Sequence, residues 1–285
     1  MLNIARYFYR LKQMIEKLID DTRQSVRETL RKFSNPACAC SFGLDSMVTL
    51  FFVREVIPDI PVLFVNSGNE YPEIYEFIKE IIPAWNLNTK KIPPKHSFLW
   101  VSRRHGFPLH SRGTPYGYDR KYLPAHYCCL YLKKRPLEQY IRRNKFDIVV
   151  DGLRIDESIM RRFSIKKYGI LHYNKGQRTH RYHAIANWTR GQEEEAIRTL
   201  KIPISTLYNR SLPGITVRSG CWCCTMNWKH KRNEYLRTFY PKLWRILMDK
   251  MGFAKFMISR KTGADPTSEQ TKNYINQKPC FFDTP

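Results

Sequence analysis

Pro36-Ala37-Cys38-Ala39-Cys40-Ser41-Phe42-Gly43-Leu44-Asp45-Ser46, running on into MVTLFFVREV (47–56), is the stretch that decides the fold. Small apolar residues come first, as in a short buried strand. A turn of Ser, Gly and Asp follows, and then an apolar run of helical length. Such a turn at a helix N-terminus presents backbone N–H groups and the positive end of the helix dipole, so it can hold a phosphate without a lysine. The Ser41 and Ser46 hydroxyls add donors, and Asp45 is suited to orient the turn or to hold Mg²⁺. Alone, a hexapeptide such as 41–46 is more often a plain turn with a cap.

Outward from it the pattern repeats. PVLFVNS (61–67) reads as a second strand and PEIYEFIKEII (72–82) as a helix whose Pro72 suits a first turn. LKKRPLEQYIRRN (132–144) reads as a further helix and FDIVVDG (146–152) as a further buried strand. Strand alternating with helix at this spacing predicts an α/β fold, a parallel sheet flanked by helices. Residues 5–33 carry apolar side chains at helical spacing, among them Ile15, Ile19, Val26 and Leu30, and predict one or two helices that pack on the core. Residues 93–127 read as a long functional loop, and 164–181 as a second polar, basic excursion. Thr189 with Gln192 three residues on is a capping box, and 229–257 is an amphipathic helical region. The organisation expected is an N-terminal helical extension at 1–34, a main domain at 35–258 and a polar tail at 259–285.

The charge narrows the partners. Lys and Arg number 49 against 25 Asp and Glu, a net +24, which favours polyanions such as nucleic acid or phosphate-bearing substrates. Residues 101–146 hold eleven Lys and Arg against only Asp119 and Glu138. No apolar run reaches the roughly 18 residues of a membrane span, and the N-terminus lacks a signal-peptide core, so a cytoplasmic protein without membrane contact is expected.

Eight cysteines in such a chain argue for metal or redox chemistry over a disulfide framework. Cys38 and Cys40 sit in the apolar strand and read as small buried residues. Cys128 and Cys129 are adjacent, while Cys221 and Cys224 form a C-x-x-C pair with Cys223 between them. Thiolates suit zinc or an iron-sulfur cluster, and adjacent cysteines favour the bulkier group over a single ion. His96, His105, His110 and His126 share one loop but match no metal-ligand spacing.

Several of these segments resemble one known family. SFGLDS (41–46) is similar to the SGGxDS PP-loop of ATP pyrophosphatases and phosphoadenosine phosphosulfate (PAPS) reductases, with Phe42 in place of the first glycine. VNSGNEYPEIYEFIKEI (65–81) resembles the family's VDTGxxxPETxxF segment, and DGLRIDESIMRR (151–162) its GxRxx(E/Q)SxxR segment. CCLYLKKRPLEQYI (128–141) and the stretch from Trp188 to Cys224 resemble the iron-sulfur-containing adenylyl-sulfate reductases. The resemblance runs from about Pro36 to about Phe253. It implies a Rossmann-like PP-loop fold with a cysteine-rich cluster-binding lobe, and an adenine nucleotide at Ser41, Phe42, Gly43, Asp45, Ser46, Ser67, Gly68 and Arg154. It also implies a 4Fe-4S cluster on Cys128, Cys129, Cys221 and Cys224, with Lys133 tuning its charge and Arg161 as an anion contact. An external electron or sulfur donor completes the expected partners.

The chain departs from the reductases at its end. Their ECGxH motif, whose cysteine attacks sulfur, is absent, and Cys280, beside Lys278, stands as the candidate nucleophile. Asp45-Ser46 keeps the form of relatives that cleave ATP between the α and β phosphates. Sulfonucleotide reduction or sulfur transfer is therefore weighed against ATP-dependent insertion of sulfur into DNA or tRNA. A noncatalytic metal- and nucleic-acid-binding protein is the third alternative, one with no need of Asp45, Ser46 and Arg154.

Overall fold

The computed structural model of the chain describes residues 2–108, 124–210, 212–213, 215, 218–225 and 232–262. The decisive stretch folds as read: strand β1 (Pro36–Ala39), the turn, and helix α2 (Leu44–Val56), after an N-terminal helix α1 (Leu2–Leu30). Next come β2 (Val62–Val65), α3 (Pro72–Ala84) with Pro72 in its first turn, and β3 (Thr89–Ile92). Helix α4 (Phe98–His105) and helix α5 (Pro124–Cys129) follow. A π-helical segment, Leu130–Lys134, links α5 to α6 (Arg135–Asn144) and then β4 (Ile148–Asp151). After β4 come α7 (Ile159–Tyr168), β5 (Leu171–Asn174), β6 (Thr179–His183) and α8 (Arg190–Thr199). Helices α9 (Arg232–Phe239), α10 (Pro241–Arg245) and α11 (Phe253–Thr262) end the described chain.

The sheet has the order β3-β2-β1-β4-β6-β5. Every neighbouring pair is parallel except the outermost, where β5 runs antiparallel to β6. Strand order runs outward in opposite directions from β1 and β4, so their carboxyl ends flank a topological switch point, where open α/β sheets bind ligands. The 41–46 turn leaves β1 there, and the 152–158 segment leaves β4.

The described residues form two compact units. The first contains 1–66, 70–93 and 135–210, hence the whole sheet; the second contains 67–69, 94–134 and 211–285. In the sheet unit Ala37, Leu63, Ile92, Ile141, Phe146 and Val149 form one core cluster, with Leu137 and Tyr140 of α6 against it. Helix α1 buries Ile15, Ile19, Thr22, Val26 and Leu30, one stripe at helical spacing, and packs on α2 and α8. Phe52 of α2 meets Trp188 edge-on at 5.7 Å, and the Trp188 indole N–H donates to Thr22 Oγ1 at 3.1 Å. In the second unit Phe107 packs on Phe253 and Phe256 at 5.0 and 5.2 Å.

Three expectations change. The basic excursion at 164–181 is the end of α7 plus the β5–β6 hairpin; its side chains are polar because β5 is an edge strand with one solvated face. The loop expected at 93–127 contains α4, capped by Ser97 Oγ accepting from the Trp100 amide, while residues 109–123, with His110, lie outside the described residues. The helical region expected at 229–257 breaks at Pro241 and Gly252, and α11 runs through residue 259 to Thr262.

Candidate functional site: a phosphate turn and a thiol group

The sheet unit builds the turn from its backbone. Phe42 adopts φ 57°, the left-handed region that glycine enters without a Cβ penalty, and its fully buried ring packs on Phe64 at 5.3 Å. Phe42 can therefore offer a ligand only its main chain. Ser46 Oγ donates to the Gly43 carbonyl at 2.9 Å and accepts from the Ser41 amide at 3.2 Å, while the two serine hydroxyls lie 3.3 Å apart. Gly43 is the N-cap of α2 without a side-chain cap. Helix geometry leaves the first-turn amides that follow it without intrahelical acceptors, the arrangement that takes an anion.

A second segment closes on this turn from β4. A Cβ on Gly152 would stand 2.7 Å from the Asp45 carbonyl carbon and 2.8 Å from Thr49 Oγ1, so only glycine permits the approach. Two residues on, buried Arg154 pairs through Nε with the Asp45 carboxylate. Its other nitrogens reach Asp156 at 3.1 Å and Glu193 at 3.4 Å. Asp156 also accepts from the Arg190 amide at the start of α8, at 2.9 Å, and Arg190 reaches Glu193 at 3.1 Å. The expected capping box of Thr189 and Gln192 sets that helix start. Sequence reasoning did not find Glu193, because its complete burial is a tertiary fact. Burial and the neighbouring Asp45 push its carboxyl up to about 8, against the pull of Arg154 and Arg190.

Asp151, the last residue of β4, fixes the departure of the 152–158 segment. Its carboxylate accepts from the Leu153 amide at 3.1 Å, bonds His183 Nδ1 at 2.6 Å and pairs with Arg181, both of β6. Although burial opposes it, Arg181 and then His183 hold this carboxyl far below the usual range. Arg161, in the first turn of α7, pairs with Glu157 and is half-exposed.

The second unit gathers the thiols. Cys128 and Cys129 end α5, and Cys221–Cys224 form a tight turn in which the Cys224 amide donates to the Cys221 carbonyl at 3.0 Å. Burial pushes the Cys128 thiol up, with Cys221, Cys129 and Cys224 adding to the effect in that order and Lys133 opposing it. Cys128 thus lies within electrostatic reach of the other three expected ligands and of Lys133. Buried Cys223 is shifted the same way, first by desolvation and then by Cys221 and Cys224. Ser67 brings its hydroxyl to 3.6 Å from Cys221 Sγ, and the Trp222 amide donates to the Asn69 carbonyl at 2.8 Å. Gly68 between them has φ 75°. The donors are soft and crowded, and an iron-sulfur core would stabilise thiolates that burial and mutual repulsion disfavour, so the residues fit such a group chemically. Among the described residues, no three His, Cys, Asp or Glu side chains converge on one metal ion.

Cys38 and Cys40 are buried as expected, and burial raises Cys40 to about 11, an inert thiol. Cys280 lies outside the described residues. No described helix is long and apolar enough to cross a membrane.

Comparisons with known proteins agree on the fold. The chain resembles a crystal structure of phosphoadenylyl-sulfate reductase from Candida auris in a phosphate complex, with TM-score 0.52 and 17% identity over 73% of this chain and 94% of that one. It also resembles an FMN adenylyltransferase from Candida glabrata, with TM-score 0.51 and 14% identity over 73% and 62% of the two chains. Phosphoadenosine 5'-phosphosulfate reductases of Xylella fastidiosa and Citrobacter koseri are 39% and 41% identical over 72 and 66 residues. Those matches take in 25% and 23% of this chain, and the chain spans 30% and 27% of the length of these relatives. Residues 35–227 match the phosphoadenosine phosphosulfate reductase domain as a whole, and with the turn, the Gly152–Arg154 closure and the parallel sheet this shows that the chain belongs to that family.

Proposed function

We propose that this chain is an adenine-nucleotide-dependent enzyme of sulfur metabolism that carries out sulfonucleotide reduction or sulfur transfer. The nucleotide phosphates bind at the α2 N-terminus, on the amides of the 41–46 turn and the Ser41 and Ser46 hydroxyls. Asp45 orients that turn and is in place to share a Mg²⁺ with the phosphates. Cys128, Cys129, Cys221 and Cys224 hold a 4Fe-4S cluster, which supplies charge stabilisation or electrons when bound. Lys133 balances the thiolates' charge, and the Ser67 hydroxyl lies beside Cys221. The closure of Gly152 and Arg154 onto Asp45 at the switch point carries this reading, because it clamps an anion-binding turn where the fold binds ligands. In an anaerobic assay with a dithiol added as two-electron donor and offered ATP, adenylyl sulfate or PAPS, a reductase converts adenylyl sulfate or PAPS to sulfite and an adenosine phosphate as the dithiol is oxidised to a disulfide; no turnover of any of the three would overturn the proposal.

The carboxylate at the turn supports a second reading. Here ATP loses pyrophosphate as its α-phosphorus is attacked by an oxygen of DNA or tRNA, and a sulfur donor then displaces AMP from that oxygen's carbon or phosphorus. Pyrophosphate and AMP formed in equal amounts, and only with nucleic acid and a sulfur donor present, mark this reaction.

A further inference from the structure

Helix α7 inverts the usual pattern of a surface helix. Ile165 is its buried residue, while Ile159, Met160 and Phe163 are 69%, 77% and 64% exposed. Apolar side chains left in water over a whole helix face mark an interaction surface. The aromatic exposure continues past Gly169, whose φ of 85° turns the chain from α7 into β5: Tyr168 is 54% and Tyr173 53% exposed. The Tyr168 ring lies 5.7 Å from His172 and joins the end of the helix to the hairpin, and Tyr173 meets His180 of β6 at 5.2 Å.

Charge identifies what covers this surface. From Ser158 to Gln192 the chain has no Asp or Glu, while Arg162, Lys166, Lys167, Lys175 and Arg178 of α7 and the hairpin are exposed. Lys167 lies over the Tyr168 ring at 5.1 Å, so cation and aromatic face are already apposed. Flat rings interleaved with cations, with the Glu138 carboxylate near Gly176 already paired to Arg142, match a strand of unpaired bases, whose faces stack on aromatics while the phosphates follow the cations. A duplex hides its base faces and could use only the charges.

We propose that α7 and the β5–β6 hairpin form a docking surface for single-stranded nucleic acid. The Ser158 hydroxyl caps α7 by accepting from the Arg161 amide, and Ser158 follows directly on the Arg154–Glu157 stretch that clamps Asp45. A strand lying along α7 is thereby led toward the phosphate turn of the same unit. This deepens the second reading above, naming its acceptor as single-stranded and locating the contact on α7 and the hairpin.

The test is fluorescence anisotropy of a labelled single-stranded 20-mer RNA on the full chain, with a salt series, and with duplex DNA and phosphatidylserine vesicles as competitors. Phe163→Ala and Tyr173→Ala should each weaken RNA binding by at least about fivefold, and Tyr173→Phe should restore it, because stacking needs the ring and not the hydroxyl. Arg162→Gln/Lys166→Gln/Lys167→Gln should lower the slope of log affinity against log salt by about 2, at roughly 0.7 per lost contact. The equal charge change Lys79→Gln/Lys90→Gln/Lys91→Gln on α3 and β3, at the opposite edge of the sheet, should do so far less. No RNA binding, equal losses in the two triple variants, indifference to the ring deletions, or preference for vesicles or duplex would each overturn the proposal. ATP binding is measured separately by calorimetry. RNA bound without ATP sinks only the nucleotide reading, and ATP bound without RNA sinks only this one.

Discussion

Gly152 and Asp45 approach so closely that a single methyl group on Gly152 would stand 2.7 Å from the Asp45 carbonyl carbon. The end of β4 and the 41–46 turn after β1 are therefore one packed unit. Gly152→Ala must push that backbone aside and should cost about 1–3 kcal/mol in urea denaturation, as overpacking does, with loss of adenine-nucleotide affinity. Gly191→Ala is the control: no atom lies within 4 Å of its Cβ position, so stability should be unchanged or slightly higher. Equal behaviour of the two variants would show that the approach does not constrain the turn.

Arg154 balances three carboxylates, and Arg154→Met leaves Asp45, Asp156 and Glu193 facing one another. Breaking such a buried group should cost about 3–5 kcal/mol. Measured well above pH 8, where Glu193 is ionised, adding Glu193→Gln should recover part of that loss, because one charge is then removed. Additive losses in the double variant would mean that Arg154 and Glu193 do not interact.

Glu193 gives the protein a pH dependence with a definite sign. Its carboxyl titrates near 8 in the folded chain and near the ordinary 4.5 when unfolded. Between those values the native state keeps a proton that the unfolded state has lost, so this group's contribution is full below 4.5 and disappears as pH rises through about 8. Relative to wild type, Glu193→Gln should flatten the decline in stability across that window. Thermal melts of the two proteins with parallel pH profiles would contradict the assignment.

Anaerobically purified protein should be brown, with about four irons and acid-labile sulfide per chain. Cys128→Ser and Cys224→Ser should each remove most of the colour, whereas Cys38→Ser should not. Stoichiometric zinc without sulfide would replace the cluster by a structural metal.

At φ 57° Phe42 bears a backbone strain that glycine escapes, yet its ring fills the space beside Phe64. Phe42→Gly should relieve roughly 1–2 kcal/mol of strain and forfeit about 3–5 kcal/mol of packing. The net result is a less stable protein whose turn still binds nucleotide. A rise in stability would show that strain outweighs the ring.

The central strands were legible because they are buried and read as apolar runs, α2 because its apolar stretch follows a glycine turn, and Thr189–Gln192 because a capping box is a local device. Strand β3 was missed: Thr-Lys-Lys-Ile lies at a sheet edge, with Lys90 and Lys91 both exposed. The hairpin was missed for the same reason, its tyrosines and histidines alternating across an edge. At the site, the turn residues and Arg154 were found from their order along the chain and are brought together. Ser67 was expected at the nucleotide and stands beside Cys221. Gly152 had a signal, a glycine directly after a buried strand and two residues before the clamping arginine. Glu193 had none, since a glutamate among three in a row reads as solvated helix surface until α8 is packed.

Asp151 ties the Leu153 amide to Arg181 and His183, so the stretch that clamps the phosphate turn and the strand that carries the hairpin share one anchor. Any coupling that this anchor transmits between them must be reciprocal. If a strand on the hairpin tightens nucleotide binding by some factor, the nucleotide must tighten the strand by the same factor. Cutting the tie with Asp151→Asn would leave two sites that no longer hear each other.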